Sequence, residues 1–415
     1  MAGQQSSLFP IRMQMKVLVI STMFPNNIQP VFGIFVQQRI QRLARHCELK
    51  IVSPIPYFPL VGALKRYAYR AKVKLRLNQA NLEVYYPRFF SIPMILKPLD
   101  AVFIFLSLAV FCYRMRKEFD FDLIDAHLAY PDGFAAVLLG KLFKKPVIVT
   151  LRGHDIFELP KYPIRRRQVV YALKQADRVL SVADALKQGA IRLGVPEEKI
   201  DLATNGVDTE LFHPMDKLKA REELGLPQEK KIILSIGHLV VRKGFHHIIK
   251  AISLLSRQGR AGLYLVIVGA AGIEGDYKPQ LDKLIKELQV DDMVCFAGSK
   301  PYHELYRWYG AADIFCLASN KEGWANVLLE ALACGKPVVA SRAWGTSEVI
   351  TSEELGVLVE PENPSALASG LETALQKKWD YNLIIDYAKH HSWEKTAAGV
   401  YNKWQGVLGE YKRKS

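Results

Sequence analysis

Residues Asn320–Ser341, NKEGWANVLLEALACGKPVVAS, decide how this chain is read. Two carboxylates, Glu322 and Glu330, stand eight positions apart in it. Val327, Leu328, Ala331 and Leu332 recur at helical spacing, so a helix begins after Glu322 and carries Glu330 on its first turns. Gly335 and Pro337 stop that helix, and the apolar run Val338–Ala340 reads as a strand. Gly323 lets the backbone approach a partner closely just before a helix N-terminus, which is a ready anion site. Carboxylates on either side of it suit sugar and ribose hydroxyls. The stretch therefore points to a site for a sugar joined to a diphosphate.

The pattern around it is that of an α/β protein. Strand-like runs at Lys16–Ile20, Leu49–Ser53, Leu82–Tyr86, Leu123–Ala126, Val147–Thr150, Val179–Val182 and Ile200–Ala203 are separated by amphipathic stretches such as Val36–Ala44 and Phe134–Leu142. The alternation restarts at Lys231–Ile236 and continues through Leu263–Val268, Met293–Phe296, Ile314–Ala318, Val338–Ala340 and Val357–Val359. Alternating strands and helices predict parallel sheets covered on both faces. Two such runs in 415 residues predict two Rossmann-like domains, since the chain is too long for one comfortable core. Pro214, Pro227 and a dense charge cluster place the boundary within Phe212–Glu229. Ligands of such sheets sit beyond the carboxyl ends of the strands, so the expected site is a cleft between the domains.

Composition narrows the rest. Half the residues are apolar, so this is an ordinary globular chain. Cys47, Cys112, Cys295, Cys316 and Cys334 are scattered without a C-x-x-C pair, which indicates neither a disulfide framework nor a zinc site and fits a reducing cytoplasm. Residues 1–14 lack the apolar core of a signal peptide and read as a loose tail. The run Ala101–Tyr113 is shorter than the roughly 20 residues of a spanning helix, which favours a buried or interfacial helix. The formal charge of +15 is concentrated. Lys65, Arg66, Arg70, Lys72, Lys74, Arg76, Arg88 and Lys97 face only Glu83, with Tyr67, Tyr69, Tyr85, Tyr86, Phe89 and Phe90 interleaved. Next to an apolar helix, this region (65–97) suits an anionic membrane surface, with a solvated basic face as the plain alternative. No nucleic-acid motif accompanies it, so no nucleic-acid partner is expected.

The motif at Glu322–Glu330 resembles the donor site of the retaining GT-B glycosyltransferases of family 4, whose E-x7-E element binds a nucleotide-sugar. Further stretches fall in that family's order: Gly33–Val36, Asp125-Ala126-His127, Arg152-Gly153-His154-Asp155, Asn205-Gly206-Val207-Asp208, Gly237-His238-Leu239, Arg242-Lys243-Gly244 and Gly345-Thr346-Ser347-Glu348. The resemblance runs from about Lys16 onward. It implies a GT-B fold, two Rossmann-like domains with parallel sheets facing across a cleft. Residues 1–212 would bind acceptor, 213–391 would bind the nucleotide-sugar, and a helix in 392–415 would cross back to the first domain. Arg242 and Lys243 would hold the diphosphate, and Glu322 would bind sugar hydroxyls. Glu330 would bind the ribose, with the backbone from Gly323 through Trp324, Ala325, Asn326 and Val327 orienting the donor. Gly33 would let the first loop approach the phosphates, His127 would face the donor sugar, and Arg152 and His154 would reach sugar or acceptor. The family commonly has Arg directly after the glycine at 237, and here the residue is His238. Either Arg242 takes over that role or a protonated His238 contacts phosphate.

Asp120-Phe121-Asp122 spells the D-x-D of a metal-dependent glycosyltransferase fold, but it precedes a strand and reads as solvated strand-entry acids. No catalytic metal or other cofactor is expected. The reaction implied is front-face transfer with retention from a nucleoside diphosphate sugar to an acceptor hydroxyl. The acceptor would be a lipid-linked or other surface glycan, and the enzyme cytoplasmic and peripheral at the inner face of the membrane. The rivals are a sugar-nucleotide epimerase or phosphorylase on the same fold, and a non-catalytic nucleotide-sugar-binding subunit.

Overall fold

The computed structural model describes residues 15–59, 67–92, 95–272 and 274–414. The expected N-terminal tail, and Lys65 and Arg66 of the basic stretch, lie outside the described residues. Among these the strands are β1 Lys16–Ile20, β2 Glu48–Val52, β3 Ile55–Tyr57, β4 Arg76–Gln79, β5 Leu82–Tyr85, β6 Arg88–Phe90, β7 Leu123–His127, β8 Val147–Leu151, β9 Arg178–Ser181 and β10 Ile200–Leu202. The second run is β11 Lys231–Ile236, β12 Leu263–Val268, β13 Val294–Gly298, β14 Ile314–Leu317, β15 Val338–Ser341 and β16 Gly356–Val359. Two compact units result, neither continuous in sequence: residues 15–149, 171–178 and 401–414 in the first, 150–170 and 179–400 in the second.

In the first unit the sheet runs β7-β1-β2-β5-β4, with residues 147–149 of β8 beside β7. The pairs are parallel except β4 with β5, a hairpin whose Ala80 and Asn81 have φ of 51° and 60°. Positive φ at both turn residues matches the right-handed twist of a two-residue hairpin. The sequence masks this hairpin, because Ala-Asn is not a strong turn pair and β4 is mostly polar. β3 and β6, three residues each, form a separate parallel pair that the charged and aromatic stretch also hides. The helix Asp100–Met115 buries Ala101, Ile104, Leu108, Cys112 and Met115. Its opposite stripe, Leu106, Val110 and Tyr113, is exposed, as is Leu99 just before it. With the turn Lys97–Leu99 the apolar segment reaches 19 residues of mean hydropathy 1.6, so by length and composition alone it could cross a membrane. The final helix, Trp393–Lys414, enters this unit at Tyr401, whose ring is 5.3 Å from His46, and Glu410 pairs with Arg178 at 3.1 Å.

Part of the basic stretch is used internally. Arg76 and Lys50 both pair with Glu83, Arg88 donates to the carbonyls of Arg70 and Val73, and Lys97 reaches Asp100 and Ser91. Asp120 and Asp122 are also engaged. Asp120 pairs with Arg116 at 2.8 Å and Lys145 at 3.3 Å, and Asp122 accepts the Lys16 amide at 2.9 Å.

In the second unit β9 pairs in parallel with β10, and a six-stranded sheet runs β13-β12-β11-β14-β15-β16, parallel throughout. Its strands are apolar on both sides. Ile232, Leu234, Ile236, Phe315 and Leu317 enter one core with Leu328, Leu329 and Leu332. Ile233, Leu265, Ile267, Ile314 and Cys316 enter the other, with Ile248, Ile252 and Leu371. Helices on both faces are what a near-continuous apolar strand requires. All loops after these parallel strands consequently emerge at one end of the sheet, and that end carries Gly237–Gly244 and Glu322–Val327.

Candidate active site

After β11 the chain turns through Gly237 and His238 into a short helical turn, Val241–Lys243, that ends at Gly244. Gly244 has φ of 70°, and a Cβ there would lie 2.0 Å from the Ala318 carbonyl oxygen. The Asn320 amide donates to the Arg242 carbonyl at 3.1 Å. The loop after β11 is thereby pinned to the loop after β14. The Lys243 stem lies over Gly237, and its Nζ reaches Glu322 Oε1 at 2.5 Å. Both side chains are largely buried, at 13% and 10% exposure. Burial alone would push the Glu322 carboxyl up, but the Lys243 charge and hydrogen bond outweigh it and hold it below the ordinary range. The result is a preformed, desolvated ion pair. Arg242 instead points to Glu274, Nε to Oε1 2.7 Å, on a largely exposed pair. Such a pair is worth little and exchanges easily.

Three glycines weld the next layer together. A Cβ on Gly323 would meet the Arg152 carbonyl oxygen at 2.5 Å, one on Gly153 would sit 3.3 Å from the Gly323 Cα, and one on Gly345 would meet the Gly323 carbonyl oxygen at 2.3 Å. The Gly345 amide donates to Glu322 O at 3.2 Å. Asp155 shapes the 152–154 turn, accepting from the Arg152 and Gly153 amides at 3.1 and 2.8 Å. Arg152 Nη1 donates to Asn205 Oδ1 at 2.9 Å, and Asn205 Nδ2 donates to Asn326 Oδ1 at 3.1 Å. The expected helix follows as Asn326–Ala333, and among the described residues no side chain caps its N-terminus. The Leu328 amide donates to Ala325 O at 3.0 Å, and uncapped amides ahead of it suit an anion or a polar ligand. The Trp324 indole N–H also finds no acceptor among the described residues.

Glu330 sits inside this helix, 5% exposed, and accepts from Tyr309 Oη at 2.9 Å and Tyr302 Oη at 3.3 Å. Burial pushes its carboxyl up to about 7, against the pull of the two phenols. Neither tyrosine stood out in the sequence: Tyr302 opens the short turn Tyr302–Glu304 and Tyr309 lies within the helix Leu305–Ala311. His238 is half-buried, and burial, then Lys243 and Arg242, lower its pKa. It is therefore neutral near pH 7 in the free protein, which leaves Arg242 and Lys243 as the cations there.

Lys243, Arg242, His238, Glu322, Gly323, Trp324–Val327, Glu330 and Arg152 are thus brought together by one unit, and His154 opens the short helix His154–Phe157 beside Arg152. Gly33 and His127 belong to the other unit. Gly33 has φ of 73°, and a Cβ there would lie 2.4 Å from the Met23 carbonyl oxygen, so its own fold requires a glycine. His127 ends β7, is buried, and places Nε2 3.1 Å from Asp125 Oδ2. Asp125 also carries the nearby buried Arg39.

Comparison with known proteins bears on the family and the fold. Residues 35–211 match the model of Glycosyltransferase Family 4, and residues 216–391 match that of Glycosyl transferases group 1. A Bacillus subtilis glycosyltransferase provisionally assigned to teichuronic acid biosynthesis, TuaC, is 27% identical over 363 residues, covering 86% of this chain and 88% of that protein. The D-inositol 3-phosphate glycosyltransferase of Frankia alni is 32% identical over 219 residues, 51% of this chain and 54% of that protein. Among solved structures, Anabaena HepE in complex with UDP superposes with a TM-score of 0.73 at 20% identity, covering 94% of this chain and all of that one. Sucrose-phosphate synthase from Thermosynechococcus elongatus gives 0.76 at 18% identity, covering 96% of this chain. The chain, matched along both halves by these models and built from two parallel-sheet units, belongs to the GT-B glycosyltransferases of the group 1/family 4 type.

Proposed function

We propose that this glycosyltransferase is a retaining hexosyltransferase, moving a sugar from a nucleoside diphosphate sugar to an acceptor hydroxyl of a lipid-linked or polysaccharide glycan. The observation that carries this reading is the buried Lys243–Glu322 pair set against an uncapped helix N-terminus. An incoming diphosphate takes Lys243 from Glu322 and recruits Arg242 from its exposed pair with Glu274. Glu322, released, accepts hydrogen bonds from sugar hydroxyls, and Glu330 accepts from the ribose. The amides around Trp324–Val327 orient the donor.

Chemistry then needs no protein nucleophile. The bond from the anomeric carbon to the phosphate oxygen breaks as the acceptor oxygen bonds to the same face, and the departing phosphate takes the acceptor proton. The protein's part is to position both reactants and to balance the charge that develops on the leaving group. Retaining glycosidases instead hold two carboxylates about 5 Å apart for a double displacement. Glu322 is paired with Lys243, which suits charge stabilisation better than nucleophilic attack. No metal or other cofactor enters the proposal.

UDP bound to HepE favours a uridine nucleotide, and the assignment of TuaC to teichuronic acid favours a surface polysaccharide. The exposed stripe Leu99, Leu106, Val110 and Tyr113, with the exposed Lys72 and Lys74 in the same unit, supports docking on the cytoplasmic face of an anionic membrane.

The deciding experiment is thermal stabilisation of wild type and Lys243→Ala by UDP, GDP and ADP. A nucleotide at a hundred times its Kd stabilises the native state by about 2.7 kcal/mol. One nucleotide should shift the wild type and fail on the variant. Equal shifts in both proteins would remove Lys243 from the diphosphate site.

A further inference from the structure

The second unit has a cleft of 390 Å³ at the other end of its sheet. Lys231 opens β11, Asp313 directly precedes β14, and Lys336 lies two residues before β15, so the cleft gathers at the N-terminal ends of parallel strands. Gly237, Lys243 and Glu322 follow the C-terminal ends of those strands. β11 has six residues. At roughly 3.3 Å per residue, such a strand separates the two ends by about 20 Å, beyond the reach of one small ligand.

The cleft is cationic. Lys217, Lys231, Lys336 and Lys377 line it, against the single carboxylate of Asp313. That carboxylate is already saturated, by Arg221 at 2.6 Å, Lys217 at 2.9 Å and the Ile232 amide at 2.7 Å. Lys336 is mostly buried and donates to the Gly310 carbonyl oxygen at 2.9 Å. Neither Lys231 nor Lys336 has a carboxylate within ion-pair distance among the described residues. A buried ammonium without a paired carboxylate is costly, and burial, only partly offset by the Asp313 charge, lowers the Lys336 pKa to about 8. An anion in the cleft would offset that cost. One wall is aromatic and fixed, because the Trp379 indole N–H donates to Ala374 O at 2.9 Å. Lys377, which covers one face of that ring at 4.6 Å, is itself engaged, donating to Glu353 O at 2.7 Å, and leaves the other face to a ligand. Fixed aromatic walls suit the apolar faces of sugar rings, and clustered ammonium groups suit a phosphate.

We infer that this cleft is a second ligand site, separate from the donor site, that binds a phosphorylated sugar through Lys231 and Lys336 against Trp379. Titration calorimetry of the full chain with glucose 6-phosphate, inorganic phosphate and glucose tests it. Glucose 6-phosphate should bind wild type and Lys243→Ala alike, and at least tenfold more weakly to Lys231→Glu and to Lys336→Met. Lys231 is exposed, so Lys231→Glu keeps the test valid if Lys336→Met does not fold, and unchanged nucleotide stabilisation of Lys231→Glu checks its integrity. The inference is overturned if wild type binds no glucose 6-phosphate at millimolar concentration, or if binding is lost in Lys243→Ala and kept in Lys231→Glu. Binding of inorganic phosphate without glucose 6-phosphate would overturn the sugar-phosphate assignment.

Discussion

Replacing Glu330 by Gln should make the protein more stable at high pH and worse at holding nucleotide. In the fold the Glu330 carboxyl is raised from 4.5 to about 7 by burial. Between those values the native state holds a proton that the unfolded chain has lost, so stability falls as pH rises through that window and the cost is complete above pH 7. A shift of this size corresponds to on the order of 3 kcal/mol for ionising the group in place. From pH 5.5 to 8 the linkage relation leaves about 2 kcal/mol of that change. Glutamine has nearly the same shape and can still meet Tyr302 and Tyr309, but it does not titrate. The variant should therefore gain about 2 kcal/mol on wild type between pH 5.5 and 8. For a unit of this size that is roughly a 4–8 °C change in the difference between the two melting temperatures. Melting curves of both proteins at a series of pH values read it directly. Parallel pH profiles would refute the raised carboxyl and its cause. Nucleotide affinity supplies a second reading, since an ionised acceptor for ribose should make wild-type binding tighten as pH rises through about 7 while the variant stays flat.

Lys243→Ala should lower kcat by roughly 10²–10³, by analogy with losing an oxyanion donor, as read by sugar transfer from labelled donor. It also strands Glu322 in a buried site, so adding Glu322→Gln should recover stability without recovering turnover. Gly323→Ala should cost about 1–3 kcal/mol, because its Cβ cannot fit 2.5 Å from the Arg152 carbonyl oxygen, and should abolish nucleotide stabilisation in the same melts. Leu106→Glu with Val110→Glu should reduce sedimentation with phosphatidylglycerol vesicles while leaving melting temperature unchanged, because both side chains are exposed.

Much of this site was legible from residue order. Helical periodicity after Glu322, stopped by Gly335, placed Glu330 on the helix Asn326–Ala333, and the alternation of strand-like and helical stretches announced parallel sheets. These are local properties: a period, a stop and a turn need only neighbouring residues. Tertiary structure decided which charges meet. Lys243 and Glu322 lie 79 positions apart, and only the pinning of Gly244 on Ala318 brings them within hydrogen-bond distance. The same holds for Glu330, whose carboxyl is set by Tyr302 and Tyr309, and for Gly153, Gly323 and Gly345, which looked like separate loop glycines until packing put their backbones in contact. Sequence also overstated the free charge of the basic stretch, since Arg76, Arg88 and Lys97 find partners inside the fold. Sequence by itself thus determined the fold class and the alternation of strands and helices, though not β3, β4 and β6, and it pointed to the chemical type of the donor site. Pairing, burial and the protonation of each group waited on the tertiary structure, because they depend on distances between residues far apart in the chain.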